Sequence, residues 1–278
     1  MKKSIVVLVA FLALCVTASG SFAESDWKTV LKDAVEFGGV VDSTMMEDAL
    51  QFALSQDISL ADCLAEIKAI DPGAVEIALK SSFSVVGDKK EVIKAALEAK
   101  ADVAMVVNAA IAANVEPADV VATTLAADAP ASEVVAAAVE AGADTGVVVT
   151  AALAANAPAN QVVAAAIVSG APEGEVVTAA LAANVPSAQV VASAIEAGGS
   201  VVAVIGSAME SDVPMSEINT GAAQAGLAPE AVTVAVDTAQ TGQTYTSDSD
   251  QGNQGGQNGQ QTQTQERTRE REGDVSPN

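Results

Sequence analysis

Histidine is absent from this sequence, and with it go the commonest general base and a principal metal ligand. Lysine and arginine are absent from residues 101–266. A protein that grips the phosphate backbone clusters those residues to displace counterions, so nucleic acid is excluded as a partner. The same deficit disfavours anionic lipid. Aromatic residues make up only 3% of the chain, so the side chains that usually anchor a tight interface or a small-molecule pocket are scarce.

Cysteine is nearly absent too. Of Cys15 and Cys63, the first lies in a leader-like segment, so no intramolecular disulfide is expected and burial alone must hold the fold. Cys63 sits in the run Leu60-Ala61-Asp62-Cys63-Leu64, which reads as a helix face. Free cysteine behaves there as a small hydrophobe, and a buried structural thiol is expected rather than an exposed thiol for dimerisation.

Residues 1–23 read as a secretory signal peptide. Lys2 and Lys3 form a basic start, residues 5–16 an apolar run, and Ser21-Phe22-Ala23 a small-residue cleavage site before Glu24. The run is shorter than the ~20 residues a membrane span needs. Lipidation at Cys15 is disfavoured because Leu14 is too large for the preceding position. An exported protein, periplasmic or extracellular, is therefore expected, with no membrane insertion after cleavage. The formal charge of −23 becomes −25 once the two leader lysines are removed.

What is present is a repeat. Val92, Val106, Val120, Val134, Val148, Val162, Val176, Val190, Val204 and Ile218 follow one another at steps of fourteen. The next residue is Val or Ile in every case but Asn219. The fifth position is Ala in nine of the ten units, with Thr124 the exception, and the sixth is apolar. Such self-similarity signals a repeat architecture. Positions one, two, five and six fall at roughly 0°, 100°, 40° and 140° around a helix, one apolar stripe.

The ninth position is Gly, Asn or Asp in all units except that of Lys100, the residues that tolerate the left-handed conformation ending a helix. A small or apolar tenth residue suits the contact that accompanies such a cap. Pro130, Pro158, Pro172, Pro186 and Pro214 at the eleventh position, with Pro117 and Pro229 one later, suit the first helical position. Asp119, Glu133, Gln161, Glu175, Gln189 and Glu217 then fall in the first turn, where carboxylates favour the helix dipole. Each unit is expected to be about twelve helical residues and a two-residue turn. A β-solenoid would suit Val-Val, but the alanines favour helix and period-two alternation is missing.

From Gly142 on, the ninth residue alternates between Gly and Asn or Asp. The structural unit predicted is thus a 28-residue helical hairpin, stacked into a two-layer solenoid. The fold class expected is all-α: an α-solenoid of tandem 14-residue helix-turn units with a disordered C-terminal tail. Four segments follow: the signal peptide at 1–23, a helical N-terminal cap region at 24–91, the array at 92–238, and a low-complexity tail at 239–278. In the cap region Trp27, Val30, Leu31, Ala34 and Val35 trace an apolar face, and Leu50, Leu54 and Ile58 fit the repeat spacing. The tail is rich in Gln, Gly, Thr, Ser and Asn and is expected to be a disordered spacer.

No catalytic, cofactor-binding or metal-binding residues emerge from the pattern. The segment Asp248-Ser249-Asp250-Gln251-Gly252-Asn253 begins like a calcium loop but lacks the glycine at the sixth position and the closing bidentate glutamate that complete one. Ser187-Ala188-Gln189-Val190-Val191-Ala192 resembles the helix opening of the DNA-reading TAL-effector repeats, but the short period and the acidity separate this chain from them. The expectation is a non-enzymatic structural or protein-interaction scaffold, its partner an unidentified protein or a second copy. The alternative is a protein that binds divalent cations or a surface such as ice.

The fifth-position alanines should sit where helices meet. Replacing Ala166 or Ala180 with Leu is expected to overpack the core and cost about 1–3 kcal/mol. An unchanged denaturant midpoint would refute that placement.

Overall fold

A computed structural model describes residues 25–36 and 42–241. They all lie in one compact unit, Met1–Thr244, while the second, Tyr245–Asn278, falls outside the described residues. The expected signal peptide and tail calcium-loop fragment fall outside them as well. Among the described residues the secondary structure is helical throughout, with fifteen α-helices and no strand. Four helices form the N-terminal region: α1 (Ser25–Glu36), α2 (Ser43–Ser55), α3 (Leu60–Ile70) and, after a 3-10 turn at Pro72–Ala74, α4 (Val75–Val85). The array continues with α5 (Lys89–Glu98), α6 (Val103–Ala112), α7 (Pro117–Ala126), α8 (Ala131–Glu140) and α9 (Thr145–Ala154). It is completed by α10 (Ala159–Val168), α11 (Glu173–Ala182), α12 (Ser187–Glu196), α13 (Val201–Glu210), α14 (Met215–Gln224) and α15 (Pro229–Thr241).

From α2 onward each helix packs most extensively on a helix two places along, and to a lesser extent on its other immediate neighbours, while α1 lies against both α2 and α3. Odd-numbered helices thus form one layer and even-numbered helices the other. This is the two-layer stack of 28-residue hairpins that the alternating ninth residue predicts.

The ninth residue closes every unit. Lys100, Asn114, Asp128, Asn156, Asn184 and Asp212 have φ between 55° and 62°, and Gly142, Gly170, Gly198 and Gly226 between 79° and 88°. In each unit the ninth residue donates its N–H to the sixth carbonyl and the tenth donates to the fifth. In the α10 unit, for example, Gly170 N–H reaches Ile167 O at 3.0 Å and Ala171 N–H reaches Ala166 O at 3.0 Å. This is the Schellman pattern, which satisfies carbonyls that a helix end otherwise leaves unpaired.

The helices are shorter than the twelve residues expected. Ten residues form each helix from α5 to α14 and four residues link them, as at residues 155–158 between α9 and α10. The eleventh residue is the reason. Pro130, Pro158, Pro172, Pro186 and Pro214 have φ near −60° but ψ between 121° and 136°, so they are N-caps and not first helical residues. Their extended ψ lies outside the helical range, yet their carbonyls still accept the first intrahelical bond, as Val162 N–H to Pro158 O at 3.0 Å. Only Pro117 and Pro229 occupy the expected first position.

The core follows the stripe. Positions one, two and five are wholly buried throughout α5–α13, whereas the sixth is half-buried, as for Leu153, Ile167 and Leu181. Buried Thr124, the one non-alanine at position five, donates its hydroxyl to Val120 O at 2.7 Å. Asn219, the one polar residue at position two, is exposed.

Close contacts reveal the direction of stacking. A Cβ on Gly221, the fourth residue of the α14 unit, would lie 2.5 Å from Ala188 O and 2.8 Å from Val191 Cβ on α12. A Cβ on Gly174 of α11 would meet Ser207 Oγ of α13 at 2.8 Å. The second and thirteenth positions therefore face the next helix of the layer, and the fourth faces the previous one. Only small residues fill position four in the array, which permits the close approach.

The N-terminal helices keep the same register. Ala49, Leu50 and Ala53 of α2, Cys63, Leu64 and Ile67 of α3, and Ala78, Leu79 and Ser82 of α4 are buried at positions one, two and five. Buried Ser82 donates to Ala78 O at 2.7 Å, as Thr124 does to Val120. Asp57 ends α2 in the left-handed region at φ 60°. The phase then slips by one residue at the 3-10 turn, where Asp71 is extended at φ −146°.

If the left-handed residue ends each helix, backbone conformation alone should set its energetic worth. An added Cβ on Gly170 meets nothing within 4 Å, so Gly170→Ala is expected to destabilise by about 1–2 kcal/mol through strain. Lys100→Gly is expected to stabilise by about 0.5–1 kcal/mol. Chemical denaturation of both variants checks this; midpoints that move in the same direction would contradict it.

Candidate functional site

The two edges of the array, where the helices turn, are chemically different. At the C-terminal ends of the odd-layer helices one motif recurs: Asp128-Ala129-Pro130, Asn156-Ala157-Pro158, Asn184-Val185-Pro186 and Asp212-Val213-Pro214. In each, the Asn or Asp is left-handed and exposed, and the proline is exposed. Proline fixes φ and removes a donor, so this edge is a stiff ladder of carboxylates or amides alternating with proline rings. The other edge turns at Gly142, Gly170, Gly198 and Gly226, and carries no such side-chain ladder.

Acids gather where the helices begin. Asp119, Glu133, Glu173, Glu175, Glu217 and Glu230 lie in first turns. Asp102 and Asp144 cap their helices directly, accepting from Met105 N–H at 3.0 Å and Val147 N–H at 2.9 Å. Each placement is locally favourable, because the N-terminal end of a helix carries positive dipole charge.

The ladder edge carries a cleft of about 570 Å³ between its last two steps. Leu181, Val185, Ala188 and Val213 supply apolar walls, and Asp212 and Glu217 supply carboxylates. A smaller cleft of about 280 Å³ lies between the ends of α5 and α7 and includes Lys94, Glu98 and Asp128. Neither was foreseen from the sequence, since each is made by turns about 28 residues apart in a stacked layer. The repeated Asx-X-Pro spacing was the available signal. Among the described residues no group of three or more Cys, Asp or Glu side chains gathers in a way that could hold a metal ion.

Cationic contacts are confined to the N-terminal side. Lys28 pairs with Glu66 at 3.0 Å and Lys90 with Asp119 at 2.9 Å, each joining neighbouring helices of the odd layer. Lys68 donates to the Lys100 carbonyl, and Lys89 to the Ala113 carbonyl at 2.5 Å. On the opposite edge Val168, at the end of α10, is 74% exposed.

Cys63 occupies the first position of its unit and is wholly buried. Burial, and secondarily the charge of Asp62, pushes its thiol up to about 12 from an ordinary 9.0. Comparison of the chain with protein-family models, with curated proteins and with solved structures returns no match.

Because the folded-state pKa of Cys63 is raised, the neutral thiol's contribution to stability is fully present below pH 9.0 and is lost as pH rises through about 12. At pH 8 the native protein is expected to resist iodoacetamide at Cys63 and to react promptly once unfolded in denaturant. Complete alkylation of the native protein on the timescale of the unfolded control would contradict this burial.

Proposed function

We propose that this chain is an exported acidic repeat protein that acts as a structural or protein-interaction scaffold in the periplasm or outside the cell. The observation that carries the reading is the Asx-X-Pro ladder at residues 128–214, a regular exposed edge held by a fully packed two-layer stack. Stacked repeats present extended surfaces of this kind for binding. Prolines and left-handed Asx residues stiffen the edge before any partner arrives, which lowers the ordering cost of binding. The absence of cations from residues 101–266 favours partners of positive or neutral surface. The leader-like residues 1–23 support export. No helix among the described residues is long and apolar enough to cross a membrane.

Photocrosslinking residues placed at exposed Ala154 and Ala182, beside the ladder, should trap a partner protein or a second copy in the native exported fraction. The same residue at Val168, on the other edge, should trap less. Recovery of an uncrosslinked monomer from all three, or of the protein from the cytoplasm alone, would overturn the reading.

A further inference from the structure

We propose that the array contains an ionic-strength-dependent section: the helices from α8 onward loosen at low salt, while α1–α7 stay closed. Residues 101–241 contain fifteen acids and no lysine or arginine, so charge interactions between formally charged side chains within that segment are all repulsive. Neighbouring helices of one layer are about 8–10 Å apart. That spacing matches the screening length of about 8 Å at physiological salt and falls well inside the ~30 Å that applies near 10 mM. At low salt, therefore, each carboxylate feels acids on several helices to either side, and at high salt hardly any.

The N-terminal helices have a counterweight. Lys28 to Glu66, Lys68 to the Lys100 carbonyl and Lys90 to Asp119 tie α1 to α3, α3 to the end of α5, and α5 to α7. Low salt strengthens such attractions as it strengthens the repulsions. Beyond Asp119 the described chain offers no cation to repeat the device. There Glu173 instead accepts the Ser200 N–H at 3.4 Å, a long bond that leaves the acid charge uncompensated.

Repeat stacks transmit this difference poorly. Their stability is a sum of intrinsic and nearest-neighbour terms, so a weakened section opens by itself without unfolding the remainder. The outcome is a graded loosening of α8–α15 against a persistent N-terminal body.

Hydrogen exchange on the full chain at about 10 mM and about 500 mM NaCl tests this. Amide protection in α8–α14 is expected to fall about tenfold or more at low salt, while α2–α7 changes no more than about threefold. A combined Glu133→Gln, Glu140→Gln, Glu175→Gln and Glu196→Gln variant, folded at high salt, should lose most of the response in α8–α12. Equal loss of protection in both sections, no loss in α8–α14, or an undiminished response in the variant would each overturn the proposal.

Discussion

The end of each helix from α5 to α14 is set by a single backbone event, the turn of the ninth residue of its unit into the left-handed region. That turn lets the ninth and tenth N–H groups return to the sixth and fifth carbonyls, as Asn184 and Val185 do with Leu181 and Ala180. The tenth residue then folds back toward the core, and the extended eleventh aims the next helix across into the other layer. Ten helical residues span about 15 Å, long enough to bury positions one, two and five and little more. A unit this short cannot bury its stripe alone, so stacking is obligatory.

The closing residue also decides how the two edges differ. Glycine and Asn or Asp can both adopt positive φ, but glycine leaves a bare turn and Asx leaves a polar side chain at the surface. Because the layers alternate, alternating the closing residue along the sequence places all the Asx side chains of the later units on one edge. The same prolines that terminate the connection, Pro130, Pro158, Pro186 and Pro214, then line up beside them. Backbone necessity and surface chemistry are set by the same four positions.

Most of the architecture was legible in the sequence because its signals are local and repeated. Val-Val pairs with Ala four residues after the first define a buried stripe, and the ninth residue names its own conformation. The four-residue links were not legible, since proline satisfies both N-cap and first-turn positions and its fixed φ does not reveal ψ. Nor was the one-residue slip of phase that separates the N-terminal region from the array. There Cys63 stands where the array has valine and Ser82 where it has alanine, and Ser82 is tolerated at zero exposure only because its hydroxyl returns to Ala78 O. The clefts depend on which turns stack side by side, a property of the layers and not of any single unit.

Stacking also has to end, and its polarity shows how. Positions two and thirteen face forward along each layer, so the last described helix of each layer turns those positions away from the stack. In α14 they are Asn219 and Ser216, and in α15 Thr233 and Glu230, all four exposed. The equivalent second-position residues inside the array are Val or Ile at zero exposure. An apolar residue at either place would offer another copy the same face that α12 offers α14. A polar one leaves the incoming helix nothing to bury, and Glu230 adds an acid that repels the like-charged chain. Growth of the stack by end-to-end addition at this end is therefore disfavoured by the residues that terminate it. Under the proposed scaffold role the surface left for contacts is the sides, where the Asx-X-Pro ladder is already stiff and the ninth and tenth N–H groups of each turn are already paired.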